Sequence, residues 1–336
     1  MTQHRRILVT GSAGFVGFHL SRRLLSDGDA VLGVDNFSPY YDVTLKEQRT
    51  EILREYHGFS LERISIENRP AFEKAWSNFK PDIVVHLAAQ AGVRYSIENP
   101  DAYVSANLIG TFNVLELARH HPVQHLLAAS TSSVYGSNDQ MPFEETERTA
   151  TPLTLYAATK GATELMGHSY ANLFRTPTTF FRFFTVYGPW GRPDMALFKF
   201  LKAMLADEPI DVFNNGEMVR DFTYIDDLVE AIVRLIKMVP GTAPAVPGDS
   251  LSNVAPFRIV NIGQGKPVQL MDYIGALEAH LGQTAKKNFL PMQTGDVPAT
   301  EASSALLEAL TGYAPSTPVG VGVPQFVDWY LSHYRA

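Results

Sequence analysis

The sequence contains no cysteine. Disulfides and thiolate metal ligands are thereby excluded, and the absence fits the reducing cytoplasm, which is the expected location. Basic residues are not in excess either, since the formal net charge is −7 at pH 7. A nucleic-acid surface requires clustered Lys and Arg, so no nucleic-acid partner is expected. Long apolar runs are missing as well. Met1 to Arg6 leads into the short run Ile7-Leu8-Val9, without the longer stretch and cleavage site of a secretory signal. Nothing approaches the length of a transmembrane helix, so a soluble chain with no membrane partner is expected. Internal repeats are absent, and no group of His, Asp and Glu has convincing metal-ligand spacing, so no metal is expected.

What is present is a chain of 336 residues, long enough to bury a large core. Its first half alternates apolar strands with amphipathic stretches, the pattern of a parallel sheet covered on both faces. The pattern predicts strands at Ile7–Thr10, Val31–Val34, Ile83–Leu87, Leu126–Ser130 and Thr178–Phe184. Helices are predicted over Phe15–Ser26, Val104–Arg119 and Tyr156–Leu173. Beyond Gly188 the rhythm changes. A helix is predicted over Arg192–Leu205, a strand over Pro209–Phe213, a helix over Asp226–Met238 and a strand over Ile259–Ile262. Val239–Pro256, rich in Pro, Gly, Ala and Ser, reads as an exposed excursion, and the tail from Thr317 ends in a helix.

Between the first strand and the first helix lies Thr10-Gly11-Ser12-Ala13-Gly14-Phe15-Val16-Gly17. Glycines there let backbone approach a pyrophosphate, and the helix N-terminus offers it free N–H groups and a positive dipole. Asp35 ends the second strand, where a carboxylate accepts hydrogen bonds from both adenosine ribose hydroxyls and repels a 2′-phosphate. Asn36 and Phe37 follow, neither a cation, so NAD is the expected cofactor rather than NADP. Tyr156-Ala-Ala-Thr-Lys160 sets a phenol and an ammonium at i and i+4 on one helical face. A phenol normally titrates near pH 10, and a neighbouring ammonium and a nicotinamide cation would both lower that value. Upstream, the hydroxyl-rich run Ser130-Thr131-Ser132-Ser133-Val134-Tyr135-Gly136 follows an apolar strand and can hold the substrate oxygen that Tyr156 deprotonates.

The glycine pattern, Leu87-Ala88-Ala89-Gln90, the Ser130–Gly136 run and Tyr-x-x-x-Lys together resemble the extended short-chain dehydrogenases/reductases that epimerise nucleotide sugars. The resemblance covers nearly the whole chain. It sharpens towards the UDP-glucuronate 4-epimerase subgroup in Ala89–Ile97, Phe184–Ala196, Arg220–Asp227 and Pro291–Val297. The implied fold is α/β, a Rossmann-type doubly wound parallel sheet with a smaller C-terminal α/β substrate domain. Residues 1–188, with 224–264 returning to them, would form the cofactor domain, and 189–223 with 265–336 the nucleotide-sugar domain.

Carried over position by position, the resemblance implies Tyr156 as base, Lys160 as its helper and Thr131 as the catalytic hydroxyl. Gly11, Gly14, Phe15, Val16, Gly17, Asp35 and Asn36 would meet the cofactor, as would Ile66, Leu87, Ala88, Ala89, Gln90, Asn107, Ser130 and Phe183. For the UDP-sugar acid, Thr185 and Met195 would touch the sugar nucleotide, Arg220 the diphosphate, Phe213 the uracil and Asp296 a ribose. Tyr156 would take the proton from O4 while C4 passes hydride to tightly bound NAD, and the 4-keto sugar would turn before reduction on its other face. A 4-keto glucuronate is a β-keto acid, so its carboxylate must be kept from the geometry that releases CO2. Arg192, as a bidentate partner helped by Ser132 and Ser133, is the candidate, with a salt bridge at a helix start as the plain alternative. Arg94 either meets the substrate or braces its own loop. His86 and His168 read as packing or surface residues.

Two departures stand out: Ser65 occupies a position usually acidic, and Ser303 one usually Asp. A neutral-sugar 4-epimerase, a decarboxylase or dehydratase of the same fold, and a non-enzymatic NAD sensor are the rival readings. The family also implies a homodimer paired through Val104–Arg119 and Tyr156–Leu173.

Overall fold

The computed structural model describes residues 4–242 and 245–334. In chain order the first part runs β1 (Arg6–Thr10), α1 (Phe15–Ser26), β2 (Ala30–Val34), α2 (Val43–Arg54), β3 (Phe59–Glu62), α3 (Arg69–Phe79) and β4 (Ile83–His86). Two single turns, α4 (Tyr95–Glu98) and α5 (Pro100–Tyr103), lead through a π-helical segment, Val104–Ile109, into α6 (Gly110–His120). Then come β5 (His125–Thr131), α7 (Leu155–Phe174), β6 (Thr178–Phe183) and β7 (Thr185–Tyr187). The remainder is α8 (Ala196–Leu205), β8 (Ile210–Val212), β9 (Val219–Arg220), β10 (Phe222–Tyr224), α9 (Ile225–Ile236) and β11 (Phe257–Ile262). It closes with β12 (Val268–Gln269), α10 (Leu270–Leu281), β13 (Lys287–Phe289), α11 (Ala305–Thr311) and α12 (Val319–Tyr334).

Seven strands form one sheet in the order β11-β6-β5-β4-β1-β2-β3, and every pairing is parallel. Parallel strands need apolar cover on both faces, and the alternation of side chains supplies it. On one face Leu8, Leu32 and Val84 meet Phe72 and Trp76 of α3 and Val114 and Leu117 of α6. On the other, Ile7, Val9, Val31 and Val85 meet Phe18 and Leu24 of α1 and Leu228 and Ile232 of α9. The remaining strands make small two-stranded pairings, β7 with β10, β9 with β12 and β8 with β13. Thr185 of β7, Asp211 of β8, Arg220 of β9 and Phe222 of β10 come together around one cleft.

The expected α/β sheet is therefore present, with differences in detail. Val104–Arg119 is one helical rod only in outline, because its first six residues are π-helical. The wider turn carries Asn107 inward, where its side chain bonds both the N–H and the C=O of Gln90. Arg192–Met195 is a turn rather than the start of a helix, and α8 begins at Ala196. The excursion after α9 is less exposed than its composition implies. Asp249 and Arg258 form a buried bidentate pair, and Ser250 bonds the backbone of Ile259, so this segment covers the free edge of β11. Ala243 and Pro244 lie outside the described residues. The helices α2, α3 and α10, unassigned from the pattern, are helical in the structure. Among the described residues no helix is long and apolar enough to cross a membrane.

Candidate active site

The carboxyl ends of β1, β2, β4 and β5 open into a cleft of about 460 Å³, and a second cleft of about 580 Å³ continues from it beneath β7, β8 and β9. The two meet where Tyr40, Thr131, Tyr156, Arg192 and Met195 line both.

At the far end of the first cleft, β1 turns into α1 through Gly11, whose φ of +73° favours glycine. A Cβ at Gly17 would lie 2.0 Å from the Gly11 carbonyl oxygen, so this helix start can close on the loop only without a side chain. Gly14 caps α1 with no side-chain acceptor, so the first amides of the helix, at Phe15, Val16 and Gly17, have no helical partners, and these residues line the cleft. That is the donor set an anionic pyrophosphate requires. Asp35 stands beside it, its carboxylate accepting from the amides of Ala13 at 3.1 Å and Phe37 at 2.8 Å. A cation does reach this point, contrary to what the adjacent sequence implies. Lys46 of α2 brings its Nζ to 3.6 Å from Asp35 and so is committed to the acid. Ile66 lines the cleft, and Glu67 with it. Ser65 donates to Glu67, so the acid absent at Ser65 stands two residues further on. Ser303 contributes its amide to the Phe143 carbonyl, a scaffold contact.

Leu87, Ala88, Ala89, Gln90, Asn36, Ser130 and Phe183 also line this cleft. Asn107 does not. It is fully buried behind the wall, and by gripping Gln90 it shapes the cleft rather than facing it. Lys160 is buried, lines the cleft, and its ammonium has no hydrogen bond or ion pair to another described residue. Burial pulls that ammonium down to about 8, and the carboxylate of Glu164 opposes the shift. Glu164 is itself held by a bidentate ion pair with Arg182 and by the Ser130 hydroxyl.

Thr131 ends β5 and caps a short 3-10 turn, Ser132–Tyr135, its Oγ accepting from the Ser133 amide and donating to the Ser133 hydroxyl. Tyr156, in the first turn of α7, shares the junction with Thr131. Burial raises the Tyr156 hydroxyl, against hydrogen bonding to Thr131 and the positive charge of Arg192. The expected downward pull of Lys160 is not among these forces. Arg192 departs from expectation too. Its Nε donates to Asp194 at 2.9 Å and its Nη2 at 2.5 Å, so this fork is already filled and only Nη1 is left outside it. Asp194 also accepts from the Tyr40 hydroxyl at 3.1 Å. The salt-bridge alternative is therefore present, yet the guanidinium still lines both clefts.

In the second cleft lie Arg94, Ser132, Ser133, Thr185, Phe213, Arg220 and Asp296. Among the described residues Arg220 has only carbonyl and thioether partners, and burial lowers its guanidinium while Asp296 raises it. Its neighbour Asp221 faces away and accepts from the amides of Gln264, Gly265 and Ala302, so one motif divides between site and scaffold. Arg94 lies 5.8 Å over the Phe213 ring, and both line this cleft. His86, between Thr10 and Thr111, is a buried neutral residue whose imidazole burial drives down to about 3. His168 bonds Ser252. No metal-ligating cluster occurs among the described residues. Tyr40, Lys46 and Asp194 were not anticipated. The signal for Tyr40 and Lys46 was a tyrosine pair between a strand end and the basic residues of α2, and for Asp194 an acid two residues after Arg192.

Compared with known proteins, residues 7–247 match the NAD dependent epimerase/dehydratase family. A probable UDP-glucuronate 4-epimerase of Rhizobium meliloti (strain 1021) is 56% identical over 334 residues, 98% of each chain. UDP-glucuronate 4-epimerase 1 of Arabidopsis thaliana is 42% identical over 98% of this chain and 77% of its own. A UDP-glucuronic acid 4-epimerase from Bacillus cereus, crystallised with UDP-glucuronic acid and NAD, is 34% identical. It superimposes with a TM-score of 0.88 over 98% of this chain and 100% of that one.

Proposed function

The chain belongs to the NAD dependent epimerase/dehydratase family, and on that premise we propose that it interconverts UDP-glucuronate and UDP-galacturonate by inversion at C4. The observation that carries the reading is the junction of the two clefts, where Tyr156 and Thr131 stand beside Arg192. A sugar bound there meets a base, a hydroxyl and a cation at once.

The first cleft suits NAD. The amides of Phe15, Val16 and Gly17 would take the pyrophosphate, Asp35 the adenosine ribose, and Lys160 the ribose nearer Tyr156. When bound, NAD supplies the oxidising equivalent at C4 and returns it. The chain's own residues do the rest. Tyr156 removes the O4 proton, and Thr131 hydrogen-bonds that oxygen and keeps it in reach. Arg192 stabilises the phenolate electrostatically, as its effect on Tyr156 requires. Since Asp194 fills the Arg192 fork, the hydroxyls of Ser132, Ser133 and Thr185 take the larger share of the sugar carboxylate, with the remaining Nη1 beside them. Held there, the carboxylate stays out of line with the C4 carbonyl and CO2 is retained. Arg220 holds the diphosphate, and Phe213 under Arg94 the uracil.

Incubation with UDP-glucuronate, followed by NMR, tests the reading. Inversion at C4 without release of CO2, and without added cofactor, is expected. Rapid conversion of UDP-glucose with no change in the acid would overturn the substrate assignment.

The assembly that fits the surface is a homodimer. Ile109 and Phe112, at the π-to-α junction, and Leu165 and Leu173 on α7 remain exposed, and these helices pack side by side. The proposed compartment is the cytoplasm, where nucleotide sugars of this class can reach the cleft.

A further inference from the structure

Arg49 is, like Lys160, a buried cation without a carboxylate partner among the described residues. It is fully buried on α2. Burying an unpaired guanidinium is unfavourable, and Nε has no hydrogen-bond partner among the described residues, so it is the acceptors of the two terminal nitrogens that reveal what the group does. Nη1 donates to the carbonyl of Ala13 at 2.9 Å and to the Tyr41 hydroxyl at 2.9 Å. Nη2 donates to the carbonyl of Trp190 at 2.6 Å and, at 3.4 Å, to that of Gly191. One planar group thus ties together two backbones far apart in sequence. Ala13 belongs to the glycine-rich loop, and Trp190 and Gly191 immediately precede Arg192.

The turn it grips is not one the chain would hold unaided. Trp190 sits at φ +60°, a conformation bulky residues rarely adopt, and Gly188 is at φ +142°. Its third carbonyl, that of Pro189, accepts from His19 Nε2 at 2.9 Å. Burial keeps that imidazole neutral, with its pKa near 3, so it holds one protonation state throughout the working range. The consecutive carbonyls of residues 189, 190 and 191 therefore all end on buried side chains of α1 and α2.

We propose that Arg49, assisted by His19, is a positioning residue: it fixes the 188–191 turn against the glycine-rich loop and thereby sets where Arg192 stands relative to Tyr156. Lysine keeps the charge but offers no fork that can span both backbones. The inference rests on the reading of Arg192 given above.

The experiment measures kcat and KM for UDP-glucuronate in wild type, Arg49→Lys, Arg192→Ala and the double variant. A misplaced group costs on the order of 100-fold in rate, so R49K should lower kcat by about 10- to 100-fold while KM moves far less. If Arg49 acts through Arg192, the double variant is no slower than R192A. Wild-type kcat in R49K, or losses that multiply in the double variant, would overturn the proposal. Should R49K fail to fold, His19→Leu and H19L/R192A carry the same comparison. His19→Gln, which keeps a donor for Pro189, should then restore the rate, and an H19L enzyme with wild-type kcat would overturn the proposal. A wild type that leaves UDP-glucuronate untouched defeats the substrate reading alone. The same variants are then compared on the UDP-sugar it does convert, where the same rate patterns support or overturn the role of Arg49.

Discussion

Burial leaves the Tyr156 phenol harder to ionise than a free one, and Thr131 and Arg192 act in the other direction. A base in that position depends on the charges that ligands and neighbours bring to it. Tyr156→Phe should lower kcat by about 10²- to 10⁴-fold, the usual worth of a positioned proton-transfer group, with UDP-sugar affinity nearly unchanged. An NMR time course and calorimetry with UDP test this. A rate within about threefold of wild type would remove Tyr156 from the chemistry. At Asn107 the side chain does not make the cofactor contact that the resemblance implies. Asn107 faces Gln90 rather than the cleft, because a π turn rotates it inward, and no linear pattern reports an inserted residue in a helix.

The edge of the sheet is finished by a side chain. The Asn261 amide of β11 points away from β6 and donates to Glu145 Oε1 at 2.8 Å. Burial raises the Glu145 carboxyl from 4.5 to about 7. The folded state therefore binds this proton more tightly than the unfolded chain does. Its contribution to stability is complete below pH 4.5 and is lost as pH rises through about 7. Relative to wild type, Glu145→Gln should gain stability between pH 5 and pH 8, by at most on the order of 3 kcal/mol. Thermal melts at the two pH values decide it. A difference between the two proteins that does not change with pH would mean that Glu145 ionises normally. Nearby, Arg182 joins the Glu145 carbonyl to the Glu164 carboxylate under α7, so this edge and the Tyr156 helix share one buried network.

For the molecule as a whole, apolar side chains along the π-to-α junction and α7 remain to be covered. Leu165 is 75% exposed and Leu173 64%, on a face that a water-soluble monomer would ordinarily keep polar. In the homodimer proposed above, Leu165→Glu should leave the protein monomeric at micromolar concentration, read by light scattering. The two clefts lie away from that residue, so C4 inversion should persist. A wild type that is monomeric under those conditions would dispose of the dimer.

The alternation of strands and helices, the glycine turn with Asp35, and the Tyr156–Lys160 spacing are all legible in the sequence. Each rests on local rules: side-chain periodicity, the conformational freedom of glycine, and the 3.6-residue repeat that stacks i on i+4. β3, α2 and α3 were not legible, since their apolar positions are sparse and only packing against the sheet selects helix or strand. Tertiary structure alone decided the partners of charged groups. Lys46 on Asp35, Asp194 in the fork of Arg192, and Arg49 between Ala13 and Trp190 are all choices made by the folded chain. Side-chain identity says that a cation needs an acceptor. Which acceptor it finds depends on how α2 and the 188–195 turn are brought together over the sheet, and that is set by the packing of the whole chain.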